Sequence, residues 1–268
     1  AINIYEMRKY FFFLSLIVCF SCQQRACDNY IQLAGFTQGT SYHITYCSPN
    51  NVNYQEEIEY QLAAFDSSLS AYVPYSVISE VNKAEKEAVT DELFRYAFRE
   101  SKRVYDSTEG AFDITVAPIV NALGFGPEEQ MDVDSSLIDS LLQYVGMEKV
   151  RLEGQRLVKE NAGTKLDMNG IAQGYSVDII AGFLEEQGIS HYMVEIGGEV
   201  KAKGKNDKGQ TWRIGVDKPV ENNQVPGRNL QVILQLDEKS LATSGNYRKF
   251  YEKDGVKYTH SIDPHTGF

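Results

Sequence analysis

Hydrophobic positions along the chain follow two periods. Ile58, Leu62, Phe65 and Leu69 recur every three or four residues, the spacing of one helix face. Asn53 is the expected cap of that helix. A second helix is predicted from Thr90 through Leu93, Ala97 and Val104. A third is predicted from a cap at Asp134 through Leu137, Leu141 and Val145. Gly170 to Gln187 reads as a longer helix stopped by Gly188, since glycine readily takes the left-handed conformation just beyond a helix end. Elsewhere polar and apolar residues alternate. Gln38 to Tyr46, His191 to Val200, Thr211 to Val216 and Leu230 to Leu236 read as strands. Val150 to Lys159, turning at Glu153-Gly154, and Tyr247 to Ile262 read as hairpins. Helices and strands are mixed without regular alternation. The expected fold is therefore α+β rather than a doubly wound parallel sheet.

The first residues follow another pattern. Met7-Arg8-Lys9 is a short basic start, and Phe11 to Phe20 is almost wholly apolar. The run is too short to span a bilayer and reads as the apolar region of a signal peptide, with the residues before Met7 an upstream extension. Ser21-Cys22 resembles a relaxed lipobox, whose cysteine is acylated after cleavage, and Gln23-Gln24 opens a polar tether. The predicted organisation is a signal peptide over 1–21, a lipid-anchored tether over 22–33 and one domain over 34–268. The expected location is the periplasmic face of a bacterial membrane.

The formal net charge of -11 argues against nucleic acid as a partner, because a phosphate backbone would be repelled. Of the four cysteines, Cys19 lies in the signal and Cys22 is the anchor. Cys27 and Cys47 can pair in an oxidising compartment or remain two thiols. No cysteine spacing suits zinc.

Four stretches carry candidate chemistry. Ser67 to Asn82 holds Ser70, Tyr72, Ser76, Glu80 and Asn82. By itself it reads as a surface loop, although Tyr72 could stack on a flat ligand. Gly110-Ala111-Phe112-Asp113-Ile114-Thr115-Val116 combines a glycine that lets a ligand approach the backbone with an aspartate, Asp113, that is equally a helix cap. In Asp167-Met168-Asn169-Gly170-Ile171-Ala172-Gln173-Gly174-Tyr175-Ser176-Val177-Asp178 a strand end runs into a helix start. Gly170, Gly174 and Asp178 share one helix face. Bare glycines near a helix N-terminus leave room for a pyrophosphate on the free N–H groups, or else for close packing. Each glycine costs about 1 kcal/mol, which some gain must offset. Finally, Thr243-Ser244-Gly245-Asn246-Tyr247 precedes a turn with His260 and Asp263, which are acid–base candidates.

Asp113, Asp167, Asp178 and Asp263 stand in these stretches without a lysine or arginine. Like charges about 4 Å apart repel by roughly 4 kcal/mol at an effective dielectric near 20. A helix N-terminus returns only about 0.3–1 kcal/mol. A phosphate ligand there requires a cation, and oxygen ligands favour Mg²⁺ or Ca²⁺.

In this order the motifs resemble the ApbE-type FAD:protein FMN transferases, from about Thr37 to the last residue. The matching stretches are Gln38-Gly39-Thr40-Ser41-Tyr42, Ser70-x-Tyr72 with Ser76 and Asn82, and Gly110-x-Phe112-Asp113. They continue with Asp167-x-x-Gly170-Ile171-Ala172-x-Gly174-Tyr175-x-Val177-Asp178, Thr243-Ser244-Gly245-x-Tyr247 and His260-x-Ile262-Asp263-Pro264-x-Thr266-Gly267. The resemblance implies a T-fold-like mixed sheet with helices. It implies FAD contacts at Gln38, Tyr72, Ala111, Phe112, Asp113, Asn169, Tyr175 and Ile262. Mg²⁺ would sit on the Ala172 carbonyl, and His260 would transfer the proton. The implied reaction moves FMN from FAD onto a threonine hydroxyl of an exported electron-transfer protein and releases AMP. A metal-dependent FAD pyrophosphatase and a non-catalytic flavin-binding lipoprotein are the alternatives. Gln173 and His265 stand where many members carry lysine and arginine. Members also continue beyond the position of Phe268 with an aspartate and a threonine that complete the metal site, so a C-terminally truncated domain is expected.

Overall fold

The computed structural model describes residues 29–219, 227, 229–245, 250–253 and 255–268. The expected signal peptide, Cys22, Cys27 and Tyr247 lie outside them. In chain order the first elements are β1 (Tyr30–Thr37), β2 (Thr40–Cys47), α1 (Gln55–Leu69), α2 (Val77–Lys83), β3 (Glu87–Val89), α3 (Glu92–Ser107), α4 (Ala117–Ala122) and α5 (Ser135–Leu142). There follow β4 (Val150–Glu153), β5 (Arg156–Lys159), α6 (Asn169–Glu186), β6 (Tyr192–Ile196), β7 (Glu199–Lys203) and β8 (Trp212–Asp217). The last are β9 (Leu230–Leu236), β10 (Lys239–Leu241), β11 (Phe250–Lys253) and β12 (Val256–Thr259).

A five-stranded antiparallel sheet, ordered β1-β2-β6-β7-β10, is the backbone of the α+β fold. Alternation does what it predicts in β2 and β6. Tyr42, Ile44 and Tyr46, with Tyr192, Val194 and Ile196, turn to one face and are buried against Ile58 and Leu62 of α1 and Val177, Ile180, Ala181 and Leu184 of α6. On β7, Val200 and Ala202 join a second cluster with Trp212 of β8 and Leu236 of β9. A third core packs α1, α2 and α3 against β4 and β5, around Phe65, Ile78, Phe94, Val150 and Leu157.

Several sequence boundaries move. β1 begins inside the expected tether, so the folded domain starts before residue 34. Gln38 belongs to no strand. With Gly39 it forms the two-residue turn between β1 and β2, both at positive φ (51° and 71°), the geometry that suits a right-twisted hairpin. His191 to Val200 is not one strand, because Gly197 and Gly198, also at positive φ, reverse the chain between β6 and β7. Asn53 does not cap α1: Tyr54 is the N-cap residue, and the Asn53 side chain accepts only from the Gln55 N–H (2.9 Å). Asp91 rather than Thr90 caps α3, accepting from the Phe94 N–H at 2.8 Å. The expected loop over 67–82 contains α2, capped by Ser76, whose hydroxyl accepts from the Ser79 N–H. Asp134 caps α5 as predicted, taking the Leu137 N–H at 2.8 Å. Cys47 is disulfide-bonded, and as the one described cysteine it has a partner outside the described residues.

Core packing yields a direct prediction. Ile58 is fully buried between α1 and the sheet. Ile58→Ala is expected to cost about 2–5 kcal/mol in urea unfolding. Tyr60→Ala, on the exposed side of the same helix, is expected to stay within about 0.5 kcal/mol.

Candidate active site

The strand-like segment 165–167 is the axis of the site. Asn82, at the end of α2, pins it from one side: its Nδ2 donates to the Leu166 carbonyl (2.9 Å) and its Oδ1 accepts the Leu166 N–H (2.7 Å). On the other side the Asp167 N–H donates to the Ile114 carbonyl at 2.7 Å. These bonds bring the second and third candidate stretches edge to edge, with Asp113 and Asp167 on neighbouring segments.

Asp113 is buried and does not cap the helix that follows. Its Oδ1 accepts from both the Thr115 N–H (2.7 Å) and the Thr115 hydroxyl (2.6 Å), and α4 starts without a side-chain cap. Thr115 Oγ1 in turn accepts the Gly146 N–H at 2.6 Å. Burial, with Glu148 nearby, pushes the Asp113 pKa up despite these bonds. Asp167 accepts the Asn169 N–H (2.7 Å) at the start of α6, and burial of its carboxyl likewise raises its pKa. Among the described residues no lysine or arginine offsets either shift.

Among the described residues only Asp178 of the other two has a cationic partner, which removes it from the set of aspartates without a lysine or arginine; Asp263, like Asp167, accepts a backbone N–H two residues on. Asp178 pairs with Lys201 of β7 at 2.8 Å. Asp263 closes the last turn by accepting the His265 N–H at 2.9 Å.

The remaining stretches close around this pair. Tyr72, after α1, keeps much of its ring exposed, and partial burial of its hydroxyl, with the nearby Asp167 carboxylate adding to it, raises its pKa. Its hydroxyl donates to the Phe125 carbonyl at 3.1 Å. The Phe125 ring stacks on Tyr251 of β11 and meets the His260 ring edge-on, with centroids 6.4 Å apart. Tyr72 and His260 thus share Phe125 as a support. The His265 ring lies 3.1 Å from where a Cβ on Gly110 would stand. Ala111 is exposed, while Phe112 packs into the α1–α3 core and lies against Gly170. A Cβ on Gly170 would come 3.1 Å from the Phe112 ring, whereas one on Gly174 would meet nothing within 4 Å. Close packing accounts for the first glycine. The second keeps open space on the helix face, as a ligand-accepting surface requires.

Not every predicted contact faces this opening. Tyr175 stacks on Tyr96 of α3 (4.5 Å) and meets Phe65 edge-on, and burial pushes its pKa up to about 12. Ile262 packs among Ile119, Leu123 and Ile138. Gln38 touches α6 one turn beyond Ala172, where its Oε1 accepts from the Ser176 hydroxyl at 3.4 Å. Asn169 and Ala172 occupy the first turn of α6, the former exposed and the latter buried. Gln173 covers Gly197 at the β6–β7 turn, so a larger residue there would collide with it. Sequence reading missed Phe125 and Thr115. Phe125 acts partly through its backbone carbonyl, which no side-chain pattern marks. Thr115 was visible only as a hydroxyl two residues after Asp113.

The ApbE family model matches residues 38–268. An FAD:protein FMN transferase of Vibrio cholerae is 37% identical over 262 residues, covering 94% of this chain and 76% of that protein. The Escherichia coli K12 protein of the same name is 32% identical, covering 88% of this chain and 69% of its own length. Among solved structures, the Vibrio cholerae flavin transferase ApbE superposes with a TM-score of 0.79 at 36% identity, covering 89% of this chain and 77% of that one. The apo flavinyl transferase ApbE of Pseudomonas stutzeri gives 0.78 at 32% identity, covering 90% and 76%.

A desolvated Asp167 binds its proton more tightly in the folded than in the unfolded chain. Ionisation near neutral pH therefore costs stability, and the cost fades as pH falls through the raised pKa toward about 4. Asp167→Asn is expected to unfold no more easily than the wild type at about pH 7, with any advantage shrinking on acidification. Urea unfolding across pH checks this, and a less stable variant at neutral pH contradicts it.

Proposed function

This chain belongs to the ApbE family, and we propose that it is an FAD:protein FMN transferase acting on a threonine hydroxyl of an exported acceptor protein, with release of AMP. The observation that carries the reading is the pair of desolvated, uncompensated carboxylates, Asp113 and Asp167, at the mouth of a helix whose Gly174 leaves open space.

That pair excludes a phosphate ligand on its own and suits one that brings a cation. Magnesium takes oxygen donors, keeps several of its waters and is commonly shared between one or two carboxylates and a substrate's phosphates. The Asp113 and Asp167 carboxylates and the Ala172 carbonyl are the groups that would hold it. When bound, the ion would neutralise the pyrophosphate and the charge that builds on departing AMP.

The chain's own residues supply the rest. The exposed Tyr72 ring, braced through Phe125, offers a face for a flat ring system. In the first turn of α6 the Asn169, Ile171 and Ala172 N–H groups are bonded to Asp167 and Met168, which leaves the Gly170 N–H as the backbone donor for a phosphate. His260, held edge-on to Phe125, takes the proton from the acceptor threonine as its oxygen bonds to the FMN-side phosphorus. The P–O bond to AMP breaks in the same displacement. The disulfide at Cys47 supports an oxidising compartment, in line with export and anchoring at Cys22.

The test is to incubate the protein with FAD, Mg²⁺ and a threonine-bearing acceptor domain. AMP release and flavin fluorescence on the acceptor are then followed, with and without EDTA. EDTA-sensitive labelling matched by AMP is expected. AMP without labelled acceptor would show hydrolysis instead. His260→Ala is expected to lower transfer by about 10²–10⁴-fold while FAD still binds.

A further inference from the structure

Phe125 stands just past the end of α4, and its backbone and ring are fixed separately. Its N–H donates to the Val120 carbonyl at 3.0 Å. The next residue, Gly126, lies so close to the buried Asn121 of α4 that a Cβ there would come 1.8 Å from the Asn121 Oδ1, which leaves the backbone no room to shift that way. The ring stacks on Tyr251 of β11, with centroids 5.6 Å apart and planes at 26°. Tyr251 stacks in turn on its register partner Tyr258 of β12, at 5.1 Å and 12°. Three rings thus run from the end of α4 across both strands of the last hairpin. Two ion pairs follow the same segment, Glu128 with Lys165 and Asp132 with Lys253 of β11, each at 2.5 Å. Solvent-facing pairs contribute little, so the rings carry the contact.

Phe125 meets the candidate active site through two different groups. Its carbonyl accepts the Tyr72 hydroxyl at 3.1 Å. Its ring meets the His260 imidazole edge-on, at 6.4 Å and 65°. His260 is exposed, one residue past the end of β12. An exposed side chain samples several rotamers unless its neighbours select one. A base must stand within about 2.6–3.2 Å of the hydroxyl whose proton it takes, so the selected rotamer matters to the rate.

We propose that Phe125 is a positioning residue for FMN transfer: its ring fixes where the His260 imidazole stands relative to a flavin seated on Tyr72. The proposal rests on the transferase reading. It assigns the two groups separate effects. A change of side chain keeps the carbonyl that braces Tyr72 and removes the edge that orients His260. Loss of the ring therefore slows the chemical step and spares FAD binding.

The experiment compares wild type, Phe125→Leu and Phe125→Tyr in the full chain, with Phe125→Leu also made in the His260→Ala background. FAD affinity with Mg²⁺, kcat for labelling of the threonine-bearing acceptor and thermal unfolding are measured for each, with single-turnover labelling where kcat is low. Phe125→Leu is expected to lower kcat by about 10- to 100-fold while FAD affinity stays within about twofold. Phe125→Tyr keeps an aromatic edge and is expected to restore most of the rate. In the His260→Ala background Phe125→Leu is expected to cost nothing further, because its effect runs through His260. Should Phe125→Leu fail to fold, Tyr251→Leu removes the ring behind Phe125 and carries the same expectations. An unchanged kcat in the leucine variant, with an active wild type, overturns the proposal and leaves the transferase reading standing. FAD affinity that falls in step with kcat, or an equal further loss in the His260→Ala background, also overturns it, since Phe125 would then serve binding or the fold. A wild type that labels no acceptor overturns the functional reading and the proposal together.

Discussion

Two aspartates drawn out of water on neighbouring segments, with no lysine or arginine among the described residues to offset either, set the terms for the whole site. Transfer of a carboxylate out of water is costly unless it is paired, and Asp113 and Asp167 are only hydrogen-bonded. The rest of the architecture accommodates that cost. The Thr115–Gly146 relay fixes Asp113. The Asn82 clamp fixes the backbone that leads to Asp167. The α6 N-terminus places a favourable dipole beside Asp167, worth about 0.3–1 kcal/mol, which leaves most of the cost in place. What remains is an affinity for positive charge, held by a rigid frame.

Most of that frame could be read in the sequence, because periodicity reports burial. The α1 face and the β2 and β6 alternation emerge where the pattern puts them, since each residue there meets the core in register. Boundaries failed where polar turn chemistry competes with the pattern. Alternation runs unbroken through Gln38 and through Gly197-Gly198, so only the positive φ angles disclose the turns. At the start of α3, Thr90 and Asp91 are both good caps. Asp91 takes the helix because Thr90 is already bonded to the Gln155 carbonyl across the β4–β5 turn. That tertiary bond has no local signature.

Legibility of the site divides the same way. Its aspartates and glycines stood out as residues that are costly without a use. Their division of labour did not, since the ion pair from Asp178 to Lys201 and the turn closed by Asp263 depend on long-range folding or on final turn geometry. Tyr175 shows the limit of carrying roles across a resemblance. In this chain its ring is stacked on Tyr96, so any contact with a ligand comes from what that stack leaves exposed.

If uncompensated carboxylates are the central fact, metal and nucleotide must bind as a pair, each increasing the other's affinity by the same factor. Calorimetric titration of FAD over a series of Mg²⁺ concentrations, and of Mg²⁺ over a series of FAD concentrations, measures both sides of that linkage. The account predicts equal, favourable coupling of about tenfold or more, lost when Asp113 and Asp167 are both replaced by asparagine. FAD affinity that is the same in EDTA as in Mg²⁺ would contradict it.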